Sequence, residues 1–198
     1  MILKQVNRTR RKRIRLIPLI GLLFMILLIT YVISEWIAER EPRMETLPEV
    51  VMQWRPHVLA EMARQGLSSD WIDLMMAQLM QESSGLHVDI FQCSESKYGV
   101  PGMIESEAES IEQAVYYWIK LIDRANELNL EASRENILQS YNMGIGYLDY
   151  IHFHQSNTSA ELAEAFSHEV LNGGGDPHYV EHVLRYLEMA HRSSWDSQ

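Results

Sequence analysis

The chain has 198 residues, one cysteine, 46% hydrophobic residues and a formal net charge of −10. That length fits one ordinary domain plus a short appendage, and the hydrophobic content is too high for a disordered chain. A single Cys excludes an internal disulfide framework and a Cys-rich zinc site, and the acidic balance argues against nucleic acid as a partner, because sequence-independent binders need cationic surface.

The charge is unevenly spread. Residues 1–15 hold seven cations (Lys4, Arg8, Arg10, Arg11, Lys12, Arg13, Arg15) and no acid. The rest of the chain holds the other 10 Lys/Arg and all 27 Asp/Glu, a net −17. Leu16 to Ser34 is an uncharged run of 19 residues. As a helix it would be ~28 Å long, close to the hydrocarbon thickness of a bilayer. Pro18 sits in its first turn, and Tyr31 and Trp36 fall where an interfacial aromatic belt would lie. The run is longer than a signal-peptide core and no A-x-A site follows it, which predicts an uncleaved transmembrane anchor over 16–34. The basic tail, 1–15, is expected in the cytoplasm and everything after Glu35 outside the cell membrane.

Residues 35–46 are charged and read as a stalk, and a globular, helical pattern occupies 47–195. A first helix is expected over 48–65 with Gly66 as its stop. A second follows the Ser69/Asp70 cap signal and carries Trp71, Leu74, Met75, Gln78 and Leu79 on one stripe. Gly, Pro and Ser punctuation over 85–102 predicts loops with a small hairpin. The capping-box pattern Ser106-x-x-Glu109 opens a long helix over 108–129. Another covers 134–141 and continues past Gly144 or breaks there. Thr158-x-x-Glu161 caps a helix toward Val170, and Asp176-Pro177 opens the last helix, ending near His191. The expected fold is mainly α, a helical single-core domain behind one N-terminal transmembrane helix.

Glu82 is the first residue whose position suggests chemistry. Trp71, Met75 and Gln78 precede it by 11, seven and four residues, so at ~100° per residue all share its helix face. A carboxyl on a buried face is desolvated, which disfavours its charged form and raises its pKa, as a general acid near neutral pH requires. The competing reading is a helix-end Glu pointing to solvent. His178 and His182 have metal-ligand spacing, but no Glu follows His178 and no third ligand is evident, so no metal site and no cofactor are expected. The Met75, Met76 and Met80 cluster reads as adaptable core, and Asn172-Gly-Gly-Gly reads as a loop without phosphate-binding context.

Four motifs occur in order. Gln81-Glu82-Ser83-Ser84-Gly85 is followed by Asp89-Ile90-Phe91-Gln92-Cys93-Ser94-Glu95-Ser96, then by Gln139-Ser140-Tyr141-Asn142-Met143-Gly144, then by His178-Tyr179-Val180-Glu181-His182-Val183-Leu184-Arg185-Tyr186. Together they resemble the goose-type lysozyme and soluble lytic transglycosylase superfamily, and more closely the lysozyme-like domain of CwlT-type cell-wall hydrolases. The resemblance covers 47–187. An anchor plus this domain alone also resembles the small membrane-anchored proteins named after vaccine antigen A. The peptidase domain usual in CwlT proteins is not expected.

The resemblance implies a lysozyme-like fold and a glycosidase acting on peptidoglycan glycan strands. Glu82 matches the catalytic acid that protonates the oxygen between N-acetylmuramic acid and N-acetylglucosamine, and Ser83 is its motif partner beside the substrate. Gln92 matches a substrate-facing amide on a short strand. Tyr141 matches a tyrosine that orients the acid, and Asn142 a polar neighbour on the groove wall. Helix packing and a helix-end cap are the plain readings of that pair. Tyr179 lies near the site or in the core of the last helix. An inverting hydrolase also needs a base, for which Glu95 and Asp89 are the candidates, Glu95 ahead because a loop Asp commonly bonds its own backbone. Without a base, the substrate's acetamido group would assist and the product would carry a 1,6-anhydro end. The alternatives to a muramidase are therefore a lytic transglycosylase and a non-catalytic scaffold that grips glycan for cell-wall synthesis or division proteins. Phe91 and Cys93 stand where the family usually has Met and Ser. Cys93 is expected to be a packing residue with mild sensitivity to oxidation.

Overall fold

The computed structural model describes residues 25–31 and 46–195. The chain divides into two compact units, Met1–Arg43 and Met44–Gln198. In the first, 25–31 are helical, with Met25, Leu27 and Tyr31 more than half exposed. The remainder of the expected anchor, the basic tail and most of the stalk lie outside the described residues. Among those described, no helix is long and apolar enough to cross a membrane.

The second unit is built of helices, with no strand among the described residues. Where one helix was expected over 48–65 there are two, α1 (Glu49–Met52) and α2 (Arg55–Gln65). The break falls at Gln53 and Trp54, just ahead of Pro56, which has no N–H to continue a helix and is tolerated only in a first turn. Gly66 ends α2 with φ of 84°, as its position predicted. A 3₁₀ turn (Ser69–Trp71) leads into α3 (Ile72–Ser83), and its cap is the Ser68 hydroxyl, which accepts from the Asp70 amide. The expected cap at Ser69/Asp70 is thus one residue late.

Helix α3 is central. Ile72 and every residue from Leu74 to Met80 are buried, so it has no solvent stripe through its middle. It packs most extensively along α9 (Tyr179–Trp195). Between α3 and the next long helix, the chain makes turns and the short α4 (Ser94–Tyr98). The hairpin expected over 85–102 does not form. Its backbone is instead tied to side chains, with Asp89 at the hub, and Gln92 adopts a left-handed φ of 48° that no regular strand would accept. Gly85 is needed where it stands, because a Cβ there would lie 2.7 Å from the Val50 carbonyl oxygen of α1.

Helix α5 (Glu107–Glu127) begins at Ser106, whose hydroxyl accepts from the Glu109 amide. It buries Ile111, Ala114, Val115, Trp118, Leu121 and Ala125 against the other helices. Fully burying the larger of these side chains is worth ~1.5–3 kcal/mol each, so this stripe is a principal source of stability. The next helix breaks at Gly144 into α6 (Arg134–Met143) and α7 (Gly146–Phe153). Helix α8 (Ala160–Glu169) is capped by Ser159, not Thr158, with the Leu162 amide as donor. Asp176 starts the turn into α9 by accepting from the His178 amide.

Candidate active site

Glu82 is the penultimate residue of α3, on the face that Gln78 also occupies. It opens onto a cavity of about 470 Å³ while most of its surroundings are protein. Burial pushes its carboxyl up, the hydrogen bond from the Tyr179 hydroxyl pulls it down, and the charge of Asp89 pushes it up again, for a net pKa of about 7. The elevation expected from the helix stripe is therefore present.

Behind Glu82 lies a buried row of polar groups. The Tyr179 hydroxyl of α9 donates to Glu82 Oε1. The Gln78 amide donates to the Tyr179 oxygen at 3.0 Å, and the Trp118 indole N–H donates to Gln78 Oε1 at 2.8 Å. Burial and the nearby carboxylate hold the Tyr179 hydroxyl well above the ordinary tyrosine range, so it stays protonated.

Tyr141 does not orient the acid through its hydroxyl. That group donates to the Phe91 carbonyl at 3.0 Å, and Tyr117 meets its ring edge-on at 5.4 Å. Tyr141 lines the cavity and pins the 89–96 loop; the residue that touches Glu82 is Tyr179. Ser83 is buried away from the cavity. Its hydroxyl donates to the Ile90 carbonyl at 2.8 Å and accepts from the Gly85 amide at 3.0 Å, so it fastens the loop to the helix end.

Asp89 is not on the cavity either. Its Oδ1 accepts from the Cys93 amide at 3.1 Å and the Ser110 hydroxyl at 2.7 Å, and its Oδ2 from the amide and hydroxyl of Ser94 at 2.9 and 2.8 Å. A carboxylate has about four acceptor sites, and these donors fill them. Burial alone would raise the Asp89 pKa, but the donors, Ser110 foremost, outweigh it and the net direction is down. Asp89 is an ionised structural hub with no lone pair to spare for a water.

Glu95 is exposed in the first turn of α4 and lines the cavity, and its carboxylate has no hydrogen-bond or ion-pair partner among the described residues. Glu82 and Glu95 are the two acids on the cavity wall. Gln92 lies on the same wall, its amide donating to the Asp89 carbonyl at 2.7 Å. Asn142 uses its Oδ1 to accept from the Asp176 amide at 2.6 Å, which leaves Nδ2 for a ligand.

Residues that sequence reasoning missed also form the cavity. Gly174 and Gly175 present bare backbone opposite Met143, and a Cβ on Gly175, whose φ is 75°, would lie 3.1 Å from Met143 Cγ. The run of three glycines was the visible signal. Cys93 lies at the cavity floor, where burial pushes its thiol up to about 12. The thiolate is the reactive form, so the expected sensitivity to oxidation is corrected: this thiol is inert packing. The His182 ring is held by Asp176 at 2.6 Å.

The Lysozyme-like family model matches residues 48–195. The chain belongs to the lysozyme-like family. It is 35% identical over 137 residues to the bifunctional muramidase/DL-endopeptidase CwlT of Bacillus subtilis, covering 66% of this chain and 40% of that protein. It is 29% identical over 142 residues to a pneumococcal vaccine antigen A homolog of Streptococcus pyogenes, covering 69% of this chain and 70% of that one. An uncharacterized membrane protein of Bacillus subtilis, YocA, is 30% identical over 128 residues, 65% of this chain and 56% of the other. Among solved structures, a protein described as similar to lipoprotein, NLP/P60 family, from Staphylococcus aureus superposes with a TM-score of 0.64 at 31% identity. That match covers 72% of this chain and 54% of the other. The chain thus spans well under half of the CwlT protein.

Proposed function

We propose that this chain is a peptidoglycan hydrolase of the muramidase type, held at the outer face of the cell membrane by residues 16–34. Its substrate is the glycan bond between N-acetylmuramic acid and N-acetylglucosamine. The observation that carries the reading is Glu82, a cavity-facing carboxyl with a pKa of about 7. A carboxylic acid still protonated near neutral pH can give its proton to a glycosidic oxygen as the bond to the sugar C1 breaks. The muramidase named among the relatives supports the substrate class, and the membrane protein among them supports the location.

In this reading Glu95 is the base. It takes a proton from water as the water oxygen bonds to C1, and Glu82 passes its proton to the leaving oxygen. Gln92 and the Nδ2 of Asn142 supply hydrogen bonds to the sugar from the wall, and the bare backbone at Gly174 and Gly175 gives it room. A lytic transglycosylase is the second reading. The saturation of Asp89 favours it, since that leaves Glu95 as the single available base, and without Glu95 the substrate's acetamido group must assist.

The test is digestion of purified peptidoglycan by the full-length chain and by Glu82→Gln, with fragments read by mass spectrometry before and after borohydride reduction. Reducible muramic ends that disappear in Glu82→Gln are expected. Ends lighter by one water and resistant to reduction would make it a transglycosylase. No fragments from either protein, with glycan binding intact, would make it a scaffold for wall synthesis or division.

A further inference from the structure

We infer that Gln78 and Trp118 are positioning residues which, through Tyr179, fix the proton of Glu82 on the oxygen that faces the cavity. The inference rests on the reading of Glu82 as the acid. Its argument is one of hydrogen-bond direction in a sealed row. Trp118 and Gln78 are fully buried and Tyr179 is 3% exposed, so no water competes for their bonds.

An indole nitrogen can only donate. The atom of Gln78 that faces Trp118 at 2.8 Å must therefore be its carbonyl oxygen. A flipped amide would set two N–H groups against each other. With Oε1 committed, the Gln78 group that meets Tyr179 at 3.0 Å is the NH₂, which donates to the phenol oxygen. The phenol hydrogen must then go elsewhere, and the acceptor within reach is Glu82 Oε1. Were Tyr179 to accept from Glu82 instead, its own hydrogen would be buried without a partner, a costly arrangement. Each link forces the next, from an α5 tryptophan to the end of α3.

The consequence falls on the acid. When Glu82 is neutral, Oε1 is occupied as an acceptor, so the proton resides on Oε2. Glu82 lines the cavity and its Oε1 is taken by Tyr179, so Oε2 is the oxygen left to act there. When Glu82 has given its proton away, the same hydroxyl stabilises the carboxylate. The row thus both aims the proton and moderates the burial that raises the acid. The other titratable groups facing this assembly are Asp89 and Cys93 from the loop, Tyr141 from α6 and Glu95 across the cavity, while Asp176 acts on Tyr179. None of them touches Gln78 or Trp118 by a hydrogen bond that would reverse the direction.

The experiment uses the full-length chain and three variants, Tyr179→Phe, Gln78→Met and Trp118→Phe. Two readouts are taken: the pH dependence of kcat and KM on soluble glycan fragments, and the titration of the Glu82 carboxyl carbon by ¹³C NMR. Tyr179→Phe removes the donor to the carboxylate, and the other two variants release the Tyr179 hydroxyl from the geometry that aims it there. Losing that donor raises the carboxyl pKa, so the limb on which activity falls with rising pH should move to higher pH in all three, most in Tyr179→Phe. Kcat should drop about tenfold, the size expected for one hydrogen bond to a charged group, with KM little changed. Because Gln78 acts through Tyr179, Gln78→Met in the Tyr179→Phe background should add nothing. Trp118→Phe keeps the ring and removes the N–H, which covers the case in which Gln78→Met does not fold. Folded Gln78 and Trp118 variants with an unmoved Glu82 titration, or effects that add to Tyr179→Phe, would overturn the inference. Full activity in Glu82→Gln would overturn the acid assignment instead, while the carboxyl titration would still report on the row.

Discussion

Glu82 and Asp89 are seven residues apart and both are partly buried, Glu82 on the cavity and Asp89 behind it, yet they are driven in opposite directions. Glu82 receives one donor, the Tyr179 hydroxyl, and burial wins. Asp89 receives two amides, two hydroxyls and the weak donor of the Cys93 thiol, and the donors win. Glu82 is the more deeply buried of the two and the less bonded, so depth and the supply of hydrogen bonds act together in deciding which carboxyl keeps its proton. One carboxyl thereby holds its proton up to near neutrality and the other becomes a clamp that shapes the loop carrying Gln92 and Glu95.

The largest test of this contrast is activity. Glu82→Gln is expected to lose at least ~10²-fold in kcat with its fold intact, measured as release of reducible ends. Asp89→Asn should instead lose stability, by ~2–4 kcal/mol in chemical unfolding, because it sets an amide NH₂ against buried donors and removes charge-assisted bonds. If Asp89→Asn were as stable as wild type but inactive, the division of roles would be wrong.

The pH dependence of stability sharpens the same contrast. The folded pKa of Glu82 lies above its unfolded value, by burial. Below about pH 4.5 both states are protonated and Glu82 costs nothing. From there to about pH 7 the unfolded state ionises first, so stability falls, and above that range the cost is constant. Glu82→Gln should therefore be more stable than wild type at pH 8, by ~2–3 kcal/mol, and no different at pH 4. Asp89 has a lowered folded pKa, so its contribution is present near neutrality and fades as acid protonates it. The gap between wild type and Asp89→Asn should shrink below pH 4, the opposite slope. The smallest expected effect is in Tyr141→Phe, which loses one bond to the Phe91 carbonyl. About 1 kcal/mol of stability should go, with the activity limb in place, whereas Tyr179→Phe should move it.

The sequence made the helices and the burial of Glu82 readable for the same reason: both depend on local periodicity. The stripe Trp71, Met75, Gln78 placed Glu82 on the buried face of α3 without any knowledge of the fold. The failures are of two kinds. Caps slipped by one residue, as at Ser68 and Ser159, because adjacent Ser, Thr and Asp all satisfy the local chemistry and tertiary packing chooses among them. The roles of Ser83, Asp89, Tyr141 and Tyr179 were not separable in sequence, since each depends on partners far along the chain. Tyr141 could have met Glu82 or the Phe91 carbonyl; only the packing of α6 against the loop selects the latter. The 85–102 segment carries turn residues that suit a hairpin, but Asp89 offers its backbone other partners.

The measurement that tests the account most directly is a ¹³C titration of the Glu82 and Asp89 carboxyl carbons in the full-length chain. The account predicts a Glu82 midpoint of about 7 and an Asp89 midpoint below the model-peptide value of 3.8. A Glu82 midpoint near 4.5 would contradict it, because such a carboxyl would be ionised at neutral pH and could not serve as the acid.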